Sequence, residues 1–482
     1  MNNYNNKKKA VRIIKELYKD KNALSVTLTG SYSEHFDLNK AGDIDIILVC
    51  KNLTKKYFND SIRKLKNIKK KVFGNKQELI INSTFGPIKF YKKNSIVFHL
   101  MIYDLKSHIE HTVNSPFTCY DWERSKVYIG KNLKQISPVF KLQLRDFYEA
   151  RRSAQEYLID ISKNRISYRE YVFKKNKYII KKKYFYIDEI NKRDFIYHII
   201  KFLIVNYIKY EKELNSLISE KNIDKKFYEI VKNKSLLKDF KKLRNLKKDK
   251  SQKNVKNPKK LVINFIQKFD KLIKSKINLN KSIIFTRHKK THMNSGIFLG
   301  QNSDPSIINK KIPSEFRNIK IDKCFSSPSA RCIETSKLIV KKQKILISDK
   351  LKEIDYGKIE NLTFRQLKKK YPKIINMWVK GKDPKFPDGE STQDVIKRLN
   401  SFLNNELKLK NLITNKNILI LTHNVVLRTL IGSKFNIDMK DWFKININYF
   451  DSIEFKLEKN KLRPNISRMK FLDIFDNLYF NY

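Results

Sequence analysis

Two stretches of the sequence, Ile283–His288 (IIFTRH) and Ile418–His423 (ILILTH), share one form: an apolar run followed by polar residues that end in His. Short apolar runs of this kind predict buried β-strands. Ligands of open parallel sheets bind at the carboxyl ends of the strands, which is where His288, His423 and the adjacent Arg287 stand. We therefore expect these three side chains to form one site.

Further motifs follow each other between and around these two stretches. They are Thr291 and Asn294 after the first His, Phe325–Arg331 with Glu334 and Thr335, Leu351–Glu353 with Gly357, and Pro387–Ser391 with Arg398. In type and order, they resemble the landmarks of the histidine phosphatase (phosphoglycerate-mutase-like) superfamily. The resemblance covers about 140 residues and implies a three-layer α/β/α domain that needs no cofactor.

The resemblance also implies a role for each motif residue in hydrolysis of a small phosphomonoester. His288 would attack phosphorus and form a phosphohistidine, which divides one difficult step into two. Glu353 would protonate the leaving oxygen and then activate water. The other residues would bind the charged phosphoryl oxygens through cations and hydrogen-bond donors: Arg287, Arg331, His423, Thr291 and Asn294.

Two positions depart from the superfamily pattern. Lys289 and Asn424 stand where a Gly usually follows each His, and their side chains would either crowd the phosphate or contact the substrate. The stretch from Glu353 to Pro387 is short, which favours a phosphatase over a phosphomutase. A mutase and a degenerate phosphate-binding domain are the alternatives.

A second set of motifs lies near the N-terminus. An apolar strand, Leu24–Thr29, is followed by Gly30-Ser31, and Asp43 and Asp45 open a second strand. Residues two apart on a strand face the same side, so the two carboxylates offer oxygen ligands of the kind that Mg²⁺ prefers. Gly30 and Ser31 offer backbone N–H groups and a hydroxyl to the phosphates of a nucleotide.

This second set resembles the polymerase-beta-type nucleotidyltransferase superfamily. The resemblance implies Mg²⁺-dependent chemistry with a nucleoside triphosphate. Members usually supply a third carboxylate from a later strand, and Ser95–Asp104 has none near Val97. His99 is in phase with Val97, and we expect it to be a packed strand residue. The alternative is a non-catalytic nucleotide- or RNA-binding module that regulates the phosphatase.

The composition bounds the class of protein. The chain has 482 residues, a formal charge of +56 and 41% hydrophobic residues, so it can form several cores and is not a disordered polyelectrolyte. The positive charge runs from end to end and accompanies abundant Asn, Ile and Tyr, so a nucleic-acid partner is possible but not favoured. Four cysteines, no membrane-length apolar run and no apolar signal core indicate a cytoplasmic protein with no membrane partner.

The expected architecture is an α/β multidomain chain. Breaks in pattern at Ser137-Pro138 and in a Lys/Asn-rich stretch after Leu246 set the boundaries. The segments are a nucleotidyltransferase-like α/β unit at 1–138, an all-α middle at 139–246, a linker with a connecting helix at 247–280, and the phosphatase domain at 281–482.

Overall fold

The computed structural model divides the chain into two compact units. The N-terminal unit comprises residues 1–142 and 146–272, and the C-terminal unit comprises 143–145 and 273–482. The residues that the structure describes are 2–37, 43–73, 78–86, 95–115, 125, 127–136, 144–175, 177–212, 218–248, 259–276, 282–293, 296–311, 316, 319–340, 343–409, 417–435, 437–458 and 461–479.

The N-terminal unit is built on a mixed five-stranded sheet of order β3-β4-β2-β1-β5. Its elements are α1 (Asn2–Tyr18), β1 (Ala23–Thr29), α2 (Gly30–His35), β2 (Ile44–Cys50), α3 (Lys55–Phe73), β3 (Glu78–Asn82), β4 (Ser95–Asp104), α4 (Leu105–Asn114), β5 (Tyr128–Gly130), α5 (Leu133–Ile136), α6 (Leu144–Ser162), β6 (Arg165–Lys174), β7 (Lys177–Tyr186), α7 (Glu189–Lys212), α8 (Glu220–Val231), α9 (Lys234–Lys248) and α10 (Lys259–Lys276).

The central strands β1 and β2 of this sheet are buried on both faces, and the polar face of β1 is satisfied in part by a hydrogen bond between the Ser25 and Thr27 hydroxyls at 3.0 Å. In β1 and β2 only Leu24 and Asp45 are partly exposed. The two strands are antiparallel, and β2 runs parallel to β4 with Asp45 directly opposite His99. The second predicted strand is β2. Residues 88–91, whose apolar pattern also predicts a strand, lie outside the described residues. This register places the side chains of Asp45 and His99 next to each other where β2 begins.

The sequence predicted an all-α middle segment, and the structure instead contains two strands there. Strands β6 and β7 form an antiparallel hairpin that turns at Lys175, whose φ of 52° is left-handed. The prediction of helix here was wrong because β-branched and aromatic residues fit a pleated surface better than a helix. Tyr171 shows the consequence: its ring packs in the core of the five-stranded sheet and its hydroxyl donates to the Ile102 carbonyl at 2.9 Å.

The C-terminal unit contains a six-stranded sheet of order β10-β9-β11-β8-β12-β13, whose first four strands are parallel. Its elements are β8 (Ser282–Arg287), β9 (Lys323–Ser326), α11 (Ala330–Val340), β10 (Ile345–Ile347), α12 (Phe364–Lys370), α13 (Pro372–Val379), α14 (Thr392–Ser401), β11 (Ile418–Thr422), α15 (Asn424–Phe435), β12 (Ser452–Glu458), β13 (Lys461–Pro464) and α16 (Arg468–Tyr479).

The two strands that carry the motif histidines lie side by side at the centre of this sheet. All residues of β11 and the first five of β8 are buried. Successive strand residues point to opposite faces, so both faces of the sheet are covered at this point. A parallel sheet covered on both faces is what the α/β/α prediction requires. Among the described residues, no helix combines the length and the apolar character needed to cross a bilayer.

Candidate active site

The ends of β8 and β11 bring the two motif histidines together in the C-terminal unit. Thr422 lies opposite Arg287 in the parallel pair, and the His288 N–H donates to the Thr422 carbonyl at 3.0 Å. The imidazole rings of His288 and His423 have their centroids 5.1 Å apart. The carboxyl edge of the sheet therefore holds a pair of facing imidazoles.

The hydrogen bonds of His288 leave one of its ring nitrogens available for chemistry. Nδ1 lies 2.7 Å from the carbonyl oxygen of Lys289, which can only accept, so Nδ1 carries the proton and the lone pair stays on Nε2. Burial, followed by the positive charges of Arg331 and Arg287, lowers the pKa of His288 to about 3. At neutral pH the side chain is an uncharged imidazole with a nucleophilic Nε2.

Two arginines lie beside this imidazole and are held by main-chain carbonyls. Arg331 is 1% exposed and donates from Nη1 to the Ser303 carbonyl at 2.9 Å and from Nη2 to the Gly300 carbonyl at 2.8 Å. Arg287 donates from Nη1 to a carbonyl at 2.5 Å, and its guanidinium carbon lies 3.8 Å from the Tyr449 ring centroid. Both cations are therefore fixed before any substrate binds.

Three buried polar atoms of this group have no hydrogen-bond partner among the described residues: Arg287 Nε, Arg331 Nε and His423 Nδ1. His423 Nε2 lies 2.9 Å from the Ser327 hydroxyl. When that hydroxyl donates to Nε2, Nδ1 carries the proton and all three atoms are donors. An unsatisfied buried donor costs about 1–3 kcal/mol, and the oxygens of a phosphoryl group would supply the missing acceptors.

Glu353 is the buried carboxyl of the site, at 5% exposure. Its Oε1 accepts from the Ile354 N–H at 3.0 Å and from the Val425 N–H at 3.1 Å. Burial raises its pKa above the usual carboxyl value, although the Ile354 N–H and the charge of Arg331 act in the opposite direction. A carboxyl group with a raised pKa can hold a proton for transfer near neutral pH.

The Glu353 loop is held in place by the residues of the Gly-Glu-Ser motif and the helix after it. Arg398 donates to the carbonyls of Lys350 at 2.8 Å, Lys352 at 2.7 Å and Glu353 at 3.1 Å. Its Nε also pairs with Glu390 at 2.9 Å. These motif residues therefore position the loop that carries the Glu353 carboxyl.

The remaining predicted phosphate ligands have different outcomes. Thr291 is 1% exposed and forms an isolated β-bridge with Ile307. Asn294 lies outside the described residues. Asn424 begins α15, and its Oδ1 is a buried atom without a hydrogen-bond partner in the described part of the chain. The side chain of Asn424 thus retains an acceptor close to the second histidine.

Lys289 does not direct its charge at the imidazoles. Its Nζ donates to the Lys311 carbonyl and lies 5.3 Å from the Phe450 ring centroid. Its backbone N–H donates to the Thr335 hydroxyl at 3.1 Å. The residue that replaces the usual Gly is therefore accommodated by contacts of its own.

Replacing Lys289 with Ala should change kcat/KM for a phosphomonoester by less than about 3-fold, because its ammonium already donates to the main-chain carbonyl of Lys311. A 3-fold change corresponds to about 0.6 kcal/mol of transition-state stabilisation. Steady-state kinetics of Lys289→Ala, with Lys290→Ala as the exposed control, measures the effect. A loss of more than about 10-fold, or about 1.4 kcal/mol, confined to Lys289→Ala would show that this lysine contacts substrate.

Two residues near the site were not found from the sequence. Tyr449 covers the guanidinium of Arg287. Arg428, on α15, donates from Nε to the Ile445 carbonyl at 2.8 Å, and its charge acts on Tyr356 and Arg287. The one sequence feature that could have pointed to Arg428 is its position five residues after the motif residue His423. No local feature of the sequence marks Tyr449.

A separate group of polar residues lies at the end of β2 in the N-terminal unit. His99 Nδ1 lies 2.9 Å from Asp45 Oδ1, and His99 Nε2 lies 2.9 Å from the Thr84 carbonyl oxygen. One ligand atom each from Asp43, Asp45 and His99 lies within 4.8 Å of the others. The parallel register sets the ring of His99 against the Asp45 carboxylate, and the packed strand histidine stays a prediction beside that of a ligand.

The Gly-Ser motif lies directly against this group. Gly30 has a φ of 70°, and a Cβ built on it would lie 2.1 Å from Asp45 Oδ2, so only glycine fits. Ser31 is exposed in the first turn of α2. Asp104, the one acidic residue of β4, instead caps α4 by accepting from the Ser107 N–H at 2.8 Å.

Part of the C-terminal unit matches a known protein family. Residues 283–468 match the family described as the histidine phosphatase superfamily (branch 1). This match confirms the predicted relationship and fold of that region. The nucleotidyltransferase resemblance of the N-terminal unit stays a prediction.

Individual relatives each match part of the chain. Phosphoserine phosphatase 1 of Hydrogenobacter thermophilus is 25% identical over 137 residues, which are 28% of this chain and 64% of that protein. The chain therefore spans somewhat less than two thirds of this curated relative. Among solved structures, Bacillus stearothermophilus YhfR is 19% identical, covers 39% of this chain and 99% of its own, and has a TM-score of 0.34. A phosphoserine phosphatase from Entamoeba histolytica, solved with phosphoserine, is 21% identical, covers 39% and 95%, and has a TM-score of 0.33.

Proposed function

We propose that the C-terminal unit hydrolyses a small phosphomonoester through a phosphohistidine on His288. The observation that carries this proposal is the neutral imidazole with a free Nε2 lone pair, flanked by three buried donors that lack acceptors. Two of those donors belong to Arg287 and Arg331, whose positive charges oppose the charge of a phosphoryl group. The family match of residues 283–468 supports a phosphatase.

The proposed reaction proceeds in two balanced steps. Nε2 of His288 forms a bond to phosphorus while the bond from phosphorus to the ester oxygen breaks, and Glu353 gives its proton to that oxygen. Glu353 is then a carboxylate and takes a proton from water, whose oxygen attacks phosphorus and releases His288. The arginine and His423 donors stabilise the charge on the phosphoryl oxygens in both steps.

A phosphatase and a mutase differ in where the phosphoryl group goes. Phosphoserine is the first compound to test, because a curated relative carries that name, and sugar phosphates and nucleotides complete the panel. Free phosphate released in the presence of a metal chelator supports the phosphatase. Movement of labelled phosphate within a substrate, without release, would establish a mutase instead.

The pH dependence of kcat/KM should show an alkaline limb and lack the acid limb of an ordinary histidine. The pKa of His288 is lowered to about 3, so the nucleophile stays unprotonated as the pH falls through 6.5. The pKa of Glu353 is raised by burial, so the acid form is lost only as the pH rises through that raised value. Rates from about pH 4 to about pH 9, corrected for substrate ionisation near pH 6, test this.

The control for this profile is Glu353→Gln, which should abolish the alkaline limb while it lowers the rate. A kcat/KM that decreases about tenfold per pH unit below about pH 6.5 would mean that His288 titrates as an exposed histidine does. That result would contradict the neutral buried nucleophile.

We propose, as a second function, that the N-terminal unit is a nucleotidyltransferase-like site that uses a divalent cation and a nucleoside triphosphate. Asp43 and Asp45 would hold the cation, for which the resemblance implies Mg²⁺, and Gly30 and Ser31 would lie beside the phosphates. The specific observation in favour is the close approach of Gly30 to Asp45. The chain would then be bifunctional.

Incubation of the full chain with labelled nucleoside triphosphates tests this second function. Transfer of a nucleotidyl group that is lost in Asp43→Asn/Asp45→Asn would support it. Nucleotide or RNA binding without transfer would favour the regulatory binding module. In either case, phosphate release by the C-terminal unit is measured in parallel and does not depend on the outcome.

A further inference from the structure

We propose that Asp43, Asp45 and His99 bind one transition-metal ion, such as Zn²⁺, in preference to Mg²⁺. The inference rests on the carboxylate pair proposed above as a cation site, but it does not require nucleotidyl transfer. It assigns His99 to the position where the related enzymes would supply a third carboxylate, and it changes the kind of ion that the site accepts.

The sheet itself builds the three-sided arrangement. Strands β2 and β4 are adjacent and parallel, with Asp45 and His99 in direct register, so their side chains emerge side by side from one face. Asp43 lies just before β2 and brings a carboxylate oxygen close to the ligand atoms of Asp45 and His99, so that the three atoms lie within 4.8 Å of one another. Two ligand atoms of a tetrahedral site with bonds of about 2.1 Å are about 3.4 Å apart, so side-chain rotation on binding closes the set around the ion.

The hydrogen bonds of His99 leave its inner nitrogen suited to a cation. The Thr84 carbonyl oxygen, 2.9 Å from Nε2, can only accept, so Nε2 carries a proton. In a neutral ring, Nδ1 is then a lone pair that faces a carboxylate oxygen of Asp45 at 2.9 Å. Two acceptors at that distance repel each other unless a proton or a metal ion lies between or beside them.

The arrangement around His99 is also the one that protein metal sites use. Histidine ligands usually donate the ring N–H that faces away from the metal to a carbonyl or carboxylate, which fixes the tautomer and the ring orientation. Thr84 fills that place for His99. Gly30 closes the opposite side against Asp45, so the carboxylate has little freedom to turn away.

The donor set does not fit Mg²⁺ well. Magnesium requires near-ideal octahedral oxygen coordination and gives up water reluctantly. Imidazole nitrogen suits Zn²⁺ and the other later first-row ions, whose affinities for mixed nitrogen and oxygen sites are higher. Two carboxylates and one imidazole, with positions left for water, match a three-protein-ligand zinc site.

The competing explanation is a simple ion pair, in which His99 carries two protons and pairs with Asp45. Both explanations keep the side chains together. They differ in their response to metal. An ion pair gains nothing from Zn²⁺, whereas a metal site releases a proton and binds the ion.

Zinc binding by the full-length chain, measured by titration calorimetry near neutral pH, tests the proposal. We expect the wild-type chain to bind one equivalent of Zn²⁺. His99→Ala and Asp43→Asn should bind this ion at least about 10-fold more weakly or not at all. Magnesium in about 100-fold excess should not displace it. Thermal unfolding should shift upward with Zn²⁺ in wild type and not in these variants.

The matched control is His198→Ala, in the same unit. His198 Nε2 lies 3.4 Å from a carboxylate oxygen of Asp194, so the control also removes a histidine that faces an acid. It should retain the full equivalent of Zn²⁺. The melting temperatures of the variants without metal show whether each is folded.

Equal zinc binding by wild type and a folded His99→Ala, or Mg²⁺ binding that excludes Zn²⁺, would overturn the proposal. Failure of the nucleotidyl-transfer assay would not, because calorimetry reports the ion alone. Zinc binding without transfer would separate the metal site from the proposed enzyme activity.

Discussion

His288→Ala is expected to lower kcat/KM for the phosphomonoester substrate by at least about 10⁴-fold, or about 5.4 kcal/mol at 1.36 kcal/mol per tenfold. The reason is that Nε2 of His288 would form the covalent bond to phosphorus, and an Ala offers no nucleophile. The neighbouring imidazole of His423 cannot replace it, because its Nε2 faces the Ser327 hydroxyl at 2.9 Å. Phosphate release under saturating and subsaturating substrate measures the loss.

The control for this variant is His292→Ala. His292 lies four residues further on and is exposed, so its removal should leave the rate within about 2-fold of wild type. Circular dichroism and thermal unfolding show whether His288→Ala is folded. A folded His288→Ala that retains more than about a tenth of the wild-type kcat/KM would remove His288 from the chemistry.

Glu353→Gln is expected to lower kcat by about 10²–10⁴-fold, the range for loss of a general acid–base group. Gln retains the shape of the side chain, and its amide oxygen can still accept from the Val425 N–H. It cannot give a proton to the leaving oxygen. The effect should therefore appear in kcat, with little change in KM.

The choice of leaving group makes this prediction specific. An alkyl phosphate needs protonation of its leaving oxygen, whereas p-nitrophenyl phosphate does not, so the variant should lose much less activity toward the second compound. Asp349→Asn is the control, since Asp349 begins the same loop and its side chain is 78% exposed. The comparison uses kcat/KM, because this ratio reports the phosphorylation step and not the later hydrolysis, which also uses Glu353. An equal loss of kcat/KM with both substrates would mean that Glu353 does not protonate the leaving oxygen.

The sequence predicted the central strands of the C-terminal unit well because their signals are local. The apolar runs before His288 and His423 identify β8 and β11 directly. Glu353 could be placed in the site only through a family resemblance. Its position depends on hydrogen bonds that Arg398 donates to carbonyls 45 to 48 residues earlier in the chain. The approach of Tyr449 to Arg287 has no trace in sequence spacing.

The N-terminal unit shows the same limit. Alternation and the Gly-Ser and Asp-x-Asp motifs predicted β1 and β2, but His99 could be paired with Asp45 only once the register of β4 against β2 was known. The hairpin of β6 and β7 was missed because its tyrosines and isoleucines are compatible with an apolar helix face. Cross-strand packing, which the sequence does not specify locally, decided between the two.

The most direct test of the central claim is to stop the reaction of the full chain with a phosphomonoester early and to locate the phosphoryl group. We expect an acid-labile, base-stable phosphoramidate on the peptide that contains His288. It should be absent in His288→Ala and more abundant in Glu353→Gln when loss of the base slows its hydrolysis. A phosphoryl group on any other residue, or label that persists in His288→Ala, would contradict the claim.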